Sequence, residues 1–230
     1  MSMRHQFDLS SYLVIGPENT NGRPVAHIIA EALRAGFTFA QIRAKHAEAA
    51  EIIRLARAAA DAIAGQKKSD EVALVINDRL DVVLAARELR IKVDGVHVGQ
   101  EDIPPAVCRK YLGVNAVIGL SARTSDLINY VESCDTSCID YFGAGPLHAT
   151  ATKPDAGMDQ NGKIVTRSLD ELRALHRVSP LPVVVGGGVK ADDLPALRAT
   201  GVDGFFVVSA VAGAEHPYTA AKELVRCWHS

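Results

Sequence analysis

Three groups of residues have the types and spacing for chemistry on phosphorylated molecules. Gln41, Arg43 and Lys45 occupy alternate positions and share one face for as long as the chain stays extended. Such a set suits a polyphosphate, because a planar guanidinium grips two oxygens while an ammonium acts as a point charge. Asn77-Asp78 and the run His97 to Asp102 form the second group, with Asp78 and Asp102 as its carboxylates. Two carboxylates repel a phosphate: at an effective dielectric of ~20, unit charges 4 Å apart interact by ~4 kcal/mol. They belong beside one chiefly with a cation between them, and Mg²⁺ fits because it takes oxygen ligands from one or two carboxylates plus substrate phosphates. The third group is Gly186 to Gly188 with Ser209, read as the start of the last helix, where backbone N–H groups suit a monophosphate. Two anion sites, one with metal, imply a transferase that expels a metal-bound diphosphate while a second, phosphate-tagged substrate attacks.

The elements that must position these groups follow from apolar runs bounded by Gly, Pro or polar clusters. Strands are predicted at Tyr12 to Ile15, Thr38 to Ile42, Ala73 to Ile76, Gly95 to Val98, Ala116 to Leu120, Ile139 to Phe142, Pro182 to Val185 and Gly204 to Val208. Several are β-branched without polar alternation, as strands buried on both faces should be. Helical spacing covers Val25 to Ala35, Glu48 to Ala64, Leu80 to Leu89, Ile103 to Tyr111, Ser125 to Val131, Leu169 to His176, Leu194 to Ala199 and Thr219 to Trp228. Ser168 and the pair Asp192-Asp193 read as N-caps. Eight strands alternating with eight helices predict an α/β fold, a closed (β/α)8 barrel of the TIM type, with a doubly wound open sheet as the alternative.

Composition agrees. Hydrophobic residues make up 48% of the 230 and aromatics only 5%, a core of aliphatic side chains that excludes disorder and coiled coil as the main organisation. No linker-like stretch divides the chain, so residues 1–230 read as one domain. The surplus over a minimal barrel falls at Arg87 to Val93, assigned to the third helix away from the mouth, and at Asp155 to Arg167, a polar loop after the sixth strand. With 25 basic against 27 acidic residues, no field favours nucleic acid or an anionic membrane. No apolar run is long enough for a span, so a cytoplasmic address is expected. The four cysteines read as reduced thiols.

In a barrel the carboxyl ends of the strands carry the chemistry, and here they collect Gln41, Arg43 and Lys45, then Asn77 and Asp78, then His97 to Asp102. Ser121 and Arg123, Gly143 and Gly145 with Thr150, Thr152 and Lys153, then Gly186 to Gly188 and Ser209 complete the ring. Taken singly each has a structural reading: Asp78 and Asp102 could cap the helices that follow them, and the glycines could serve turns. Their coincidence at one end of successive strands favours a site. Two other motifs fail. Gly157 to Lys163 has P-loop spacing, but Ile164 stands where a hydroxyl is needed; Gly143 and Gly145 open a dinucleotide fingerprint that His148 breaks.

In these residues the sequence resembles the thiamine phosphate synthase family, from Tyr12 to Pro217. The motifs are Gln-Ile-Arg-Ala-Lys at 41 to 45, Ile-Asn-Asp-Arg at 76 to 79, Gly-Val-His-Val-Gly-Gln-Glu-Asp at 95 to 102, Gly-Leu-Ser at 119 to 121 and Thr-Ala-Thr-Lys at 150 to 153. The resemblance implies that Gln41, Ile42, Arg43, Ala44 and Lys45 bind the pyrimidine substrate and its diphosphate. It gives Asp78 and Asp102 to Mg²⁺ and Asn77, Ser121 and Lys153 to the pyrimidine. Thr150, Ala151, Thr152, Gly188, Val208 and Ser209 go to the thiazole phosphate. Arg43, Lys45, Ser121 and Lys153 are the implied catalytic set.

The implied reaction joins 4-amino-2-methyl-5-(hydroxymethyl)pyrimidine diphosphate to 4-methyl-5-(2-phosphoethyl)thiazole, or its carboxylated form, giving thiamine phosphate and diphosphate by a dissociative, Mg²⁺-assisted substitution. It needs small-molecule substrates only, and it leaves homo-oligomerisation open. The rivals are a thiazole tautomerase-like paralogue, which the retention of Arg43, Asp78 and Asp102 disfavours, and a non-catalytic ligand-binding regulator. One departure concerns the lip of the site, where His148-Ala149 replaces the family's usual Phe-Pro.

Overall fold

In the computed structural model, which describes residues 2–122, 126–149 and 165–230, eight parallel strands pair in chain order and the eighth closes on the first. They are β1 (Ser11–Ile15), β2 (Phe39–Ile42), β3 (Ala73–Asn77), β4 (Gly95–Val98), β5 (Val117–Ser121), β6 (Tyr141–Ala144), β7 (Val183–Val185) and β8 (Gly204–Val207). Around them lie α1 (Val25–Ala35), α2 (Ala49–Gly65), α3 (Leu80–Glu88), α4 (Pro105–Leu112), α5 (Leu127–Ser133), α6 (Leu169–Val178) and α7 (Leu194–Arg198). The short α8 (Ser209–Ala212) and α9 (Pro217–Trp228) follow β8. The expected closed (β/α)8 barrel is the observed fold, and the open sheet is excluded.

The boundaries differ where local chemistry outweighs apolar pattern. Helix α4 starts at Pro105 instead of Ile103, because residues ahead of Pro104 and Pro105 are driven from helical geometry. The last helix begins at Pro217, with Pro suited to a first turn. Ser209 starts a separate four-residue helix and not the last one. Strand β6 begins at Tyr141, two residues later than expected, and α5 runs to Ser133; Ser125 lies outside the described residues. Ser168 caps α6 by accepting the Glu171 N–H at 3.1 Å. Asp193 instead accepts the Lys190 N–H at 2.8 Å, closing the single turn ahead of α7.

Alternation along the strands sorts the side chains into two cores. Outward residues such as Leu13, Ile15, Ala40, Ile42, Leu74 and Ile76 meet the helices. Helix α1 shows the matching stripe, with Val25, Ile28, Ile29, Ala32 and Leu33 buried at helical spacing. Inward residues Tyr12, Val14, Phe39, Ala73, Val75, Val117, Tyr141 and Val184 fill the barrel. Further along the same parity, Gln41 on β2, Asn77 on β3 and, past Gly119, Ser121 on β5 reach the carboxyl end.

The amino end is closed by residues ahead of β1. Met3, Phe7 and Leu9 join the interior cluster, and Arg4 Nε donates to Asp140 Oδ1 at 2.7 Å. The other oxygen of Asp140 accepts from Arg109 Nη2 and from the Ile118 N–H, both at 2.7 Å. Nearby, Arg87 donates to the carbonyls of Val93, Leu112 and Asp94 at 2.8 to 3.0 Å. The Arg87 to Val93 surplus is thus a connection into the start of β4 with buried Ile91 and Val93. Only Arg87 and Glu88 belong to α3, a correction to its assignment there, although it does lie away from the mouth.

Most of the Asp155 to Arg167 segment falls outside the described residues. All four cysteines are free thiols. Among the described residues no helix is long and apolar enough to cross a membrane.

Because Asp140 holds two guanidinium groups and a buried N–H, Asp140→Ala should cost about 3 kcal/mol. Equilibrium urea unfolding measures this, and a loss below 1 kcal/mol would show that the amino-end plug contributes little.

Candidate active site

The two acidic residues meet at the carboxyl end of the barrel. Asp78 follows β3 in a left-handed conformation, with φ of 61°, and its N–H donates to the carbonyl of His97 at 2.8 Å. Its Oδ2 accepts from Asn77 Nδ2 at 2.5 Å and lies 4.0 Å from Lys45 Nζ. The N-cap reading fails for Asp78, since α3 starts after Arg79 with no side-chain cap. Asp102 Oδ2 accepts the Gly99 N–H at 2.7 Å across the turn after β4, and α4 begins only at Pro105, so it caps no helix either.

Asp102 lies close enough to Asp78 to govern the electrostatics of that carboxyl. Burial first, then the hydrogen bond and like charge of Asp102, push the Asp78 carboxyl up to about 6, against the pull of Lys45 and Asn77. Two carboxylates in such contact share a proton or hold a cation. The donor set is oxygen only, and among the described residues no group of three or more His, Cys, Asp or Glu side chains converges. An oxygen-only pair of carboxylates suits a hard cation completing its shell with ligand oxygens and water.

At Asp78, the residues Ala44, Lys45, Asn77, Asp78 and Arg79 line a small open cavity. Arg79 is turned to Asp81, donating at 2.9 and 2.7 Å, which leaves the cationic contribution to Lys45 and Arg43. Arg43 stands just past β2, its N–H on the carbonyl of Ile15 at 2.8 Å. The shared face of Gln41, Arg43 and Lys45 holds only as far as Arg43, because the chain turns at Lys45. Ile42 points outward into the shell core, so it can offer a ligand only its backbone.

Gln41 and Ser121 are joined through the interior. Gln41 Nε2 donates to the Tyr12 hydroxyl at 2.5 Å, and the Tyr12 and Tyr141 hydroxyls are 3.0 Å apart. Tyr141 lies 2.9 Å from His97 Nδ1, and His97 Nε2 lies 3.0 Å from Ser121 Oγ. The sequence singled out His97 but not Tyr12 or Tyr141. Their signal was a polar tip at inward parity in an otherwise apolar strand.

Across the mouth, Gly187 and Gly188 have φ of 82° and 73°, a left-handed pair that side chains resist. The adjoining 147–148 segment pairs with this loop, Leu147 and His148 donating to the carbonyls of Gly186 and Gly187 at 3.0 and 2.9 Å. His148 Nε2 contacts Asp193 at 2.9 Å. Val208 and exposed Ser209 follow β8, and the Val208 carbonyl accepts the Val211 and Ala212 N–H groups. Gly188, Val208 and Ser209 thus stand at the carboxyl ends of β7 and β8. Arg123, Thr150, Ala151, Thr152 and Lys153 lie outside the described residues.

Fold and site together define a TIM-barrel enzyme whose mouth combines an acidic pair with cationic side chains. Residues 11–211 match the family described as thiamine monophosphate synthase, and the chain belongs to that family. It is 36% identical to the thiamine-phosphate synthase of Moorella thermoacetica over 95% of this chain and 94% of the relative. The identity to that of Azorhizobium caulinodans is also 36%, over 96% of each. The thiamine phosphate pyrophosphorylase of Pyrococcus furiosus superposes with a TM-score of 0.78 at 27% identity, covering 99% of this chain and 98% of that one. A 3-hexulose-6-phosphate synthase, at 14% identity and a TM-score of 0.63, covering 95% of this chain and 99% of that one, shares the fold.

The raised carboxyl gives a signed stability prediction. Between about pH 4 and 6 folded Asp78 keeps a proton that the unfolded chain has lost, so its contribution falls as pH rises through that window. Asp78→Asn, which also tolerates the left-handed backbone, should raise the urea midpoint at pH 7.5 without divalent cations and not at pH 4. An unchanged or lower midpoint at pH 7.5 contradicts the repulsion.

Proposed function

We propose that this chain is a thiamine-phosphate synthase, an alkyl-group transferase. It joins 4-amino-2-methyl-5-(hydroxymethyl)pyrimidine diphosphate to 4-methyl-5-(2-phosphoethyl)thiazole, or its carboxylated form, with release of diphosphate and, from the carboxylated form, of carbon dioxide as well. The observation that carries the site reading is the raised Asp78 carboxyl, with the like charge of Asp102 near it and Lys45 4.0 Å away. It is a costly juxtaposition of like charge at the carboxyl end of the barrel, and it is relieved when a cation brings a polyanion with it.

Asp78 and Asp102 would hold Mg²⁺, which fits their oxygen-only donor set. Bound there, the ion would offset the charge that grows on the diphosphate as it leaves. Arg43 and Lys45 bind the diphosphate oxygens from the β2 side, the guanidinium with two donors in one plane. Gln41, Asn77, Ser121 and Lys153 orient the pyrimidine, with Ile42 and Ala44 shaping the wall beside it. Thr150, Ala151, Thr152, Gly188, Val208 and Ser209 receive the thiazole phosphate. The reaction is dissociative: the carbon–oxygen bond to diphosphate breaks, the pyrimidine methyl cation forms, and the thiazole nitrogen supplies the electron pair of the new bond. No protein nucleophile is required. The protein's contribution is orientation and fixed charge where charge develops.

Incubating the purified protein with both substrates and Mg²⁺ should give stoichiometric thiamine phosphate and diphosphate. Absence of both products overturns the reading. Arg43→Lys should lower the turnover rate roughly tenfold, the equivalent of about 1.4 kcal/mol from one lost charge-assisted hydrogen bond. An unchanged rate would show that the fork of Arg43 does not grip the diphosphate.

A further inference from the structure

Interior hydrogen bonds connect Gln41 through Tyr12, Tyr141 and His97 to Ser121 in one continuous line. Both ends reach groups that the proposed function assigns to the pyrimidine, and the inference rests on that reading. The middle of the line is deep in the molecule: Tyr12 and Tyr141 are fully buried, and burial raises both phenols well above their ordinary range. Each therefore carries a single hydrogen, and each hydroxyl can donate once.

That constraint gives the line a direction. Gln41 Nε2 donates to Tyr12, so the Tyr12 oxygen is an acceptor and its hydrogen must go to Tyr141. The Tyr141 hydrogen then goes to His97 Nδ1, which fixes the imidazole tautomer with its proton on Nε2. His97 Nε2 donates to Ser121 Oγ, which leaves the serine its own hydrogen to give. In the reverse order the Tyr12 hydrogen would face the Gln41 amide N–H and a donating Tyr141, a buried donor without an acceptor, which costs about 1–3 kcal/mol.

Space for the line is built in. A Cβ on Gly119 would lie 2.4 Å from both His97 Nδ1 and the Tyr141 oxygen, and one on Gly143 would lie 3.1 Å from His97 Cε1. Two adjacent strands thus leave out side chains where the imidazole and the phenol meet.

We propose that Tyr12, Tyr141 and His97 are positioning residues that impose opposite hydrogen-bonding roles on the two ends of the line, a donor at the Ser121 hydroxyl and an acceptor at the Gln41 amide carbonyl. These roles match the edge of an aminopyrimidine, in which a ring nitrogen accepts and the neighbouring amino group donates. An oxo-pyrimidine presents the inverse pattern and is rejected.

A double-mutant cycle on the full chain tests this. Tyr141→Phe keeps the ring and removes the hydroxyl. It should lower kcat/KM for the pyrimidine substrate about tenfold in the wild-type background and less than twofold in a Ser121→Ala background, with KM for the thiazole unchanged. Equal losses in the two backgrounds, or no loss, overturn the proposal. If Tyr141→Phe does not fold, as circular dichroism would show, Tyr12→Phe is used in the same cycle with the same expectation.

Independently of turnover, ¹⁵N spectra of histidine-labelled protein should show His97, assigned by its absence in His97→Gln, with the proton on Nε2 and a bare Nδ1. The opposite tautomer overturns the direction of the line. Wild-type protein that makes no thiamine phosphate would sink the functional reading, while the spectra would still judge the line.

Discussion

Closure of eight parallel strands is the constraint on which the rest of the structure depends. Once β8 pairs with β1, no strand has a free edge and every strand is covered on both sides, by helices outside and by its own side chains within. Alternation then leaves no choice. Tyr12, Phe39, Val75 and Val117 must fill the interior, and later residues of the same parity, Gln41, Asn77 and, beyond Gly119, Ser121, must emerge at the carboxyl end. The site follows from the parity of a closed ladder, with polar residues placed beyond an apolar layer.

On that base the protein holds like charges together. The turn after β3 brings Asp78 toward Asp102, and burial with the like charge of Asp102 makes Asp78 costly to ionise. A cation relieves the repulsion, and with Lys45 4.0 Å from Asp78 the same mouth attracts a polyanion. The repulsion is the strain that the proposed binding of a metal together with a diphosphate would relieve. The interior line from Gln41 to Ser121 makes a different kind of demand, in which burial fixes the direction of each hydrogen bond.

Much of the fold was legible because strands covered on both faces leave an unmistakable record: Val183–Val185 and Ala73 to Ile76 have no polar alternation. Strand ends were less legible, since a strand buried on both sides carries no pattern that marks where pairing stops, and β6 accordingly began two residues late. The short α8 was merged with the last helix, because four residues cannot establish a helical period of their own. Charge at the mouth was legible in Gln41 to Lys45, Asn77-Asp78 and His97 to Asp102, whose residue types have few other uses together. What sequence could not show was pairing across the barrel: Tyr12 and Tyr141 are 129 positions apart, and nothing local links their hydroxyls. Nor does the sequence decide the N-cap alternative for Asp78, whose backbone turns left-handed instead of entering α3.

The central claim is that the Asp78–Asp102 pair makes polyanion binding conditional on a divalent cation. Calorimetric titration of the protein with inorganic diphosphate, with and without Mg²⁺ at pH 7.5, measures this directly. The account predicts wild-type binding at least about a hundredfold tighter with Mg²⁺, corresponding to roughly 3 kcal/mol of relieved repulsion. It also predicts that Asp78→Asn combined with Asp102→Asn largely abolishes the difference. Equal wild-type affinity for diphosphate in the two conditions would contradict it.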